Sequence, residues 1–235
     1  MVLQEKRLHM KIINFNIERL LILSKLKPIV QLIKSYDADL IVLTETNSTL
    51  IDFGEVYFEH HTIPLSRNQD NVNFYKEGEN RVSIYSKYPI KSRIQTIDEF
   101  TCLAIEIETD FGELIVYGTI IGIFGYSGGK DRFVKDFSEQ QSDFNRIFAN
   151  KNVCIVGDLN ISLSGWIYPS REYRDKLNTL IEEFDMDKST GNLEDNIDHI
   201  LMSKKFIGNR GIKVEKFNVE KKLSDHFGIC MTIKE

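Results

Sequence analysis

Cysteine is scarce in this 235-residue chain: three, an odd number, at Cys102, Cys154 and Cys230, none in a C-x-x-C pair. Each lies inside an apolar run, which marks small buried hydrophobes in a reducing compartment and excludes a disulfide framework or a thiolate metal site. Long apolar runs are missing as well. Nothing approaches the ~20 residues that span a bilayer, and Met1 to His9 lacks the continuous apolar region of a signal peptide. No membrane partner is expected, and the expected location is the cytoplasm. Positive charge is not in excess: 30 Lys and Arg against 35 Asp and Glu give a net −5, unlike a protein that coats nucleic acid nonspecifically. There is no linker, low-complexity tract or clear internal repeat. One domain over 1–235 is expected, with 1–9 a loose extension ahead of Met10.

What is present is the composition of a globular protein that buries a sizeable core, 42% hydrophobic and 28% charged. Met10 to Asn16, Leu40 to Leu43, Arg81 to Ser86, Val153 to Gly157, Asn196 to Met202, Lys213 to Phe217 and Phe227 to Ile233 read as strands. Several are apolar throughout, the pattern of strands covered on both faces. Cys102 to Thr109 and Leu114 to Ile121 form a hairpin about Asp110-Phe111-Gly112-Glu113. Helical spacing follows Pro28 (Ile29, Leu32, Ile33, Tyr36), recurs at Phe133, Phe137, Phe144 and Phe148, and recurs again after Ser170, an expected N-cap, at Tyr173, Leu177, Leu180, Ile181 and Phe184. Ser66 to Asn80 and the glycine-rich Gly122 to Arg132, which carries Tyr126, Lys130 and Arg132, read as loops. Strands interleaved with helices and hairpins predict mixed sheets with helices outside.

The polar residues gather where these strands end. Asp158 and Asn160 follow a buried strand at a spacing of two, so both face one way from a rigid element. Asn16, Glu45, Asp198, Asp225 and His226 lie at or beside other strand ends. Taken singly, Asp158-Leu159-Asn160 is also a turn motif, Glu45 a surface glutamate and His226 a structural histidine. Collected together, buried carboxylates need a cation. Carboxylate and amide oxygens without thiolates favour Mg²⁺ or Mn²⁺ over zinc.

Asn16 after a strand, Glu45 in Leu-Thr-Glu-Thr, Gly157-Asp158-Leu159-Asn160, Asn196-Ile197-Asp198-His199-Ile200 and Ser224-Asp225-His226, in that order, resemble the endonuclease/exonuclease/phosphatase superfamily from about Met10 to Ile233. The resemblance implies a four-layer α/β sandwich, two mixed β-sheets face to face with helices outside, and metal-dependent hydrolysis of a phosphoester. It implies that Glu45 holds the metal with Asn16 beside it, and that Asp158 orients or deprotonates water. Asn160 then holds the phosphate, Asp198 pairs with His226, and Asp225 is a metal-site residue.

The chain also departs from that pattern. Many members carry a histidine or tyrosine on the strand before the Gly122 to Arg132 loop. Here Thr119 stands in that place, and Tyr117, two residues away on the same face, is the expected substitute. The glycine that usually opens the Arg81 to Ser86 strand is replaced by Arg81 itself. Trp166 is a candidate for stacking on substrate. The expected activity is a phosphodiesterase or nuclease acting on nucleic acid, a nucleotide or another phosphoester. The alternatives are a non-catalytic binding scaffold of the same fold, or a small-molecule or lipid phosphatase.

Overall fold

The computed structural model describes residues 9–66, 75–122 and 129–235. In chain order the elements are β1 (His9–Asn16), α1 (Leu26–Ser35), β2 (Leu40–Asn47), β3 (Phe58–His61), β4 (Glu79–Ser86), β5 (Ile90–Ile94), β6 (Cys102–Thr109), β7 (Gly112–Ile120), α2 (Gly129–Ile147), β8 (Val153–Asp158), α3 (Arg171–Glu183), β9 (Met186–Asp187), β10 (Asp198–Ser203), α4 (Lys204–Ile207), β11 (Gly211–Phe217) and β12 (Gly228–Lys234). They form two six-stranded sheets, ordered β11-β12-β1-β2-β4-β3 and β5-β6-β7-β8-β10-β9. Each sheet is mixed: β1 and β2 are parallel in the first, β7 and β8 in the second, and the neighbouring strands are antiparallel.

Side-chain alternation divides the apolar strands between three cores. Met10 and Ile12 of β1 join Val42, Ile84, Val116, Val156, Ile200 and Met231 between the sheets. Ile13 and Phe15 face outward, where Ile29 and Ile33 of α1 cover them. On the far side Ile115, Tyr117 and Ile155 lie under the phenylalanine stripe of α2 and under Tyr173, Leu177 and Leu180 of α3. Helix, sheet, sheet, helix is the four-layer α/β sandwich. Each fully buried aliphatic side chain contributes about 1.5–3 kcal/mol, so the strands are apolar on both faces because both are covered.

Local expectations differ from the structure in several places. Strand β1 starts at His9, which pairs with Lys234, so His9 belongs to the sheet. Glu79 and Asn80 are already in β4, and Lys130 and Arg132 are in α2. Tyr126 lies outside the described residues. Ser170 precedes α3, but its side chain makes no capping bond; its carbonyl accepts the Arg174 N–H instead (3.2 Å). No helix of the described residues is long and apolar enough to cross a membrane.

Candidate active site

The site is built where the parallel pairs of both sheets end. Gly157 lets β8 reach it. A Cβ there would lie 1.8 Å from the Thr119 carbonyl oxygen, and φ is +153°, so glycine is required for β7 and β8 to close up in register. The next residue, Asp158, is 2% exposed and has both carboxylate oxygens fixed. Asn16 Nδ2 donates to its Oδ2 (3.1 Å), and the Asn160 N–H donates to its Oδ1 (3.0 Å). Asn160 sits at φ +49°, and its side-chain amide donates to the Ile121 carbonyl (2.7 Å). Glu45 takes the same left-handed conformation, φ +49°, at the end of β2. Burial pushes its carboxyl up, opposed by the Asn16 hydrogen bond and the charges of His226 and Arg81. Left-handed backbone on non-glycine residues costs about 1–2 kcal/mol each, and here it reorients side chains at the point where two strands reach the cleft.

From the opposite strand direction come Asp198, at the start of β10, and His226, just before β12. His226 Nδ1 donates to Asp198 Oδ2 at 2.6 Å, linking the two sheets. Burial works against the charged ring, but the charge and hydrogen bond of Asp198, with Asp158 and Asp225, raise its pKa to about 10. A ring in that charged form carries a proton on both nitrogens and acts as a donor. Asp158 is pushed up to about 8, by burial first and then by the charges of Asp198 and Glu45, with His226 opposing. Ligand atoms of Asp158, Asp198 and His226 lie within 4.8 Å of one another.

That crowding is the physical test for a cation. Asp198 Oδ1 is buried with no hydrogen-bond partner among the described residues, and buried carboxylates beside one another destabilise the protein unless a positive charge joins them. His226 supplies one such charge, yet Asp158 still stays high. Glu45, Asp158 and the Asn16 amide offer oxygen donors only, which fits a hard divalent ion such as Mg²⁺ or Mn²⁺.

The residues expected at the site divide in two. Asn16, Glu45, Asp158, Asn160, Asp198 and His226 come together. Asp225 is beside them but exposed, with Oδ1 3.9 Å from His226 Nε2. Tyr117 is elsewhere. Its ring packs on Phe144 and Phe148 in the outer layer, and its hydroxyl is 3.1 Å from Asp143 Oδ2. Thr119 shares that outward face, with Oγ1 3.9 Å from Cys102 Sγ. The inward face of β7 is Gly118 and Ile120, and Ile120 is the residue in register with Asp158. The expectation was one residue out of phase, which on a strand is the wrong side of the sheet. Trp166 is half-exposed on the loop after Asn160, stacked on Tyr168 (4.9 Å between centroids).

Other residues support the site without a motif to announce them. Asn14, fully buried on β1, reaches across the sandwich and donates to the carbonyls of Gly157 (3.0 Å) and His199 (3.1 Å). Its spacing of two from Asn16 was the available signal. Asn218 ties the loop before β12 by donating to the Ser224 (3.1 Å) and His226 (2.7 Å) carbonyls. His199 is fully buried and neutral; burial holds its pKa down at about 4, and Nε2 is 2.8 Å from the Ile161 carbonyl.

The model of the Endonuclease/Exonuclease/phosphatase family matches residues 13–226. The chain belongs to this family, which is named for cleavage of phosphoester bonds. No curated protein sequence matches it. Among solved structures, an endonuclease/exonuclease/phosphatase from Beutenbergia cavernae is similar at TM-score 0.73 and 15% identity, covering 97% of this chain and 72% of that one. An AP endonuclease from Archaeoglobus fulgidus (TM-score 0.67, 14% identity, 94% of this chain and 98% of that) is similar as well. So is a 3'-5' exonuclease from Neisseria meningitidis (TM-score 0.68, 15% identity, 96% and 100%). At these identities the likeness is one of fold.

Proposed function

With family membership as the premise, we propose that the protein is a metal-dependent phosphodiesterase or nuclease that cleaves by attack of an activated water. One observation carries the reading: an ionised His226 held by Asp198 faces an Asp158 whose two oxygens are fixed and whose charge is crowded. A structural ion pair explains His226 and Asp198, but gives no reason to bury Asp158 and Glu45 beside them.

Asp158 accepts the proton of the attacking water, its oxygens aimed by Asn16 and the Asn160 backbone. Asn160 keeps one amide hydrogen on Ile121 and offers the other to a phosphoryl oxygen. His226, fixed through Nδ1, presents Nε2–H to the charge that develops on the phosphate. Glu45, with Asn16 beside it and Asp225 at the rim, would hold Mg²⁺ or Mn²⁺, which when bound would supply positive charge against the phosphate. Free, buried cysteines fit the cytoplasmic setting in which such an enzyme meets nucleic acid or nucleotides.

The test is hydrolysis of a panel containing a generic phosphodiester, a phosphomonoester, and single- and double-stranded DNA and RNA, each with Mg²⁺, Mn²⁺ or EDTA. Metal-dependent cleavage that Asp158→Asn removes is the expected result. Mn²⁺ binding without cleavage of any substrate would instead leave a non-catalytic scaffold.

A further inference from the structure

We propose that Asn14 is a positioning residue: by bridging the backbone carbonyls of Gly157 and His199, it holds Asp158 and Asp198 at the separation the reaction needs. The proposal rests on the phosphohydrolase reading above.

The two carboxylates meet where their strands end. β8 stops at Asp158 and β10 begins at Asp198, and the two residues stand directly opposite in the antiparallel ladder. One step further out, the Leu159 N–H donates to the Ile197 carbonyl (3.0 Å). Asp158 and Asp198 therefore form a non-hydrogen-bonded pair, the class whose Cα atoms approach to about 4.5 Å and whose side chains lie closest. One oxygen of each lies within 4.8 Å of the other and of a His226 ring nitrogen. Like charges directly opposite on neighbouring strands push those strands apart when both are ionised, and the end of a ladder is where strands part most readily.

The preceding pair carries the restraint. Gly157 and His199 are opposite each other as well, and Asn14 Nδ2 donates to both of their carbonyls, at 3.0 and 3.1 Å. A side-chain amide has two N–H hydrogens, so both are committed. One fully buried side chain on β1 thus ties β8 to β10 at the last pair before the carboxylates. The carboxylates themselves have other partners: Asn16 and the Asn160 N–H for Asp158, and His226 for Asp198.

Packing does not call for an amide here. Met10 and Ile12 precede Asn14 in the same inward-facing row and join the core between the sheets. Asn14 Oδ1 is buried with no hydrogen-bond partner among the described residues, a cost that a leucine of nearly the same shape would avoid. What the leucine would lack is the two N–H donors.

The deciding experiment compares wild type, Asn14→Leu, Asp198→Ala and the double variant. It reads steady-state kinetics on the best panel substrate, Mn²⁺ affinity, melting temperature and hydrogen exchange of the Leu159 amide. Asn14→Leu is expected to lose about hundredfold in kcat, the loss that a displacement of about 1 Å at a reacting group brings, with KM, Mn²⁺ affinity and melting temperature held. Leu159 exchange should quicken about tenfold, since its hydrogen bond lies just beyond the clamped pair. Added to Asp198→Ala, which removes one of the two groups to be spaced, Asn14→Leu should cost little more. Losses that multiply overturn the proposal, and so does a kcat that holds in Asn14→Leu. If Asn14→Leu does not fold, Asn14→Ser, with one hydroxyl donor in place of two N–H groups, takes its place with a smaller loss of the same kind expected. A wild type that cleaves nothing would sink the hydrolase reading. Leu159 exchange would then still decide whether Asn14 holds this strand end: quickened exchange keeps the clamp, and unchanged exchange removes it.

Discussion

The two sheets have one plan and different ends. In each, a strand order of two antiparallel neighbours, a parallel pair and two more antiparallel strands repeats, and a helix makes the crossover inside the parallel pair, α1 in one and α2 in the other. The second sheet runs β5 to β10 without interruption, whereas the first takes β11 and β12 from the C-terminus and β1 to β4 from the N-terminus. β1 corresponds to β7 and β2 to β8. The matched positions carry different chemistry: Asn14 and Asn16 on the inner face of β1 answer to Gly118 and Ile120 on β7, and Thr44 of β2, one residue before Glu45, answers to Asp158 of β8. Sheet geometry therefore brings carboxylates together from both halves, with amide donors from Asn14 and Asn16 in the first and from Asn160 in the second. An active site at this seam depends on pairs that cross it: Asn16 with Asp158, Asn14 with Gly157, and His226 with Asp198.

Breaking the second sheet's carboxylate should have the largest effect. Asp158→Asn is expected to cut kcat by about 10³ or more, the upper part of the range for a general base. Melting temperature should hold or rise, because a crowded buried charge is gone. A variant that unfolds instead would make Asp158 a structural residue. Next is the pair across the seam. His226→Ala and Asp198→Ala should each cost about hundredfold and the double variant little more, since either change dissolves the same ion pair. Losses that multiply would mean the two residues act separately.

The two histidines sharpen the contrast, because their surroundings move them in opposite directions. His226 in the first sheet's last loop is raised to about 10, so its contribution to stability is complete below its unfolded value of 6.5 and is lost as pH rises toward 10. His199 in the second sheet is lowered from 6.5 to about 4 by burial. The unfolded chain takes up that proton first, so stability is complete above 6.5 and is lost as pH falls toward 4. A shift of that size is worth about 3 kcal/mol. In EDTA, urea unfolding from pH 7 down to 4 should show wild type losing about 3 kcal/mol more than His199→Gln. His61, also held near 4 by burial, leaves a residual slope in both proteins. Equal slopes would mean that the His199 ring is charged or solvated in the folded state.

Much of this was legible along the chain because buried strands write their ends plainly. Val153 to Val156 is apolar on both faces and then stops at Gly157-Asp158, and the same change of chemistry marks Leu43-Thr44-Glu45. Mixed sheets with helices outside followed from such runs, and the resemblance implied the four layers. Face was harder to read than position. Tyr117 and Thr119 belong to a strand buried on both sides, so polarity does not show which side meets the cleft, and Tyr117 was absorbed by Asp143 on a helix 26 residues away in sequence. The duplicated sheet plan was hidden for another reason. Hydrogen bonding fixes strand order without requiring similar side chains, and one half is split between the two ends of the chain.

The smallest expected effect lies at the rim of the second sheet, where Trp166 has no counterpart in the first. Its loop leaves β8 immediately after Asn160 and is immobilised on all sides. Arg174 donates to the carbonyls of Ser162 (2.7 Å) and Trp166, and Asp195 accepts the Trp166 N–H (2.9 Å). Gly165 fits only because it has no Cβ, which would meet Asp195 Oδ1 at 2.4 Å. A loop this restrained has no need of the indole as a packing cap, and the indole is 48% exposed. Stacked on Tyr168, it offers a flat apolar surface within one loop of the reacting phosphate. Stacking of a base on such a surface is worth about 1–3 kcal/mol, so Trp166→Ala should raise KM about tenfold for a diester that carries a nucleobase. The rise should be smaller for a base-free diester. Equal rises for both would assign Trp166 to loop structure.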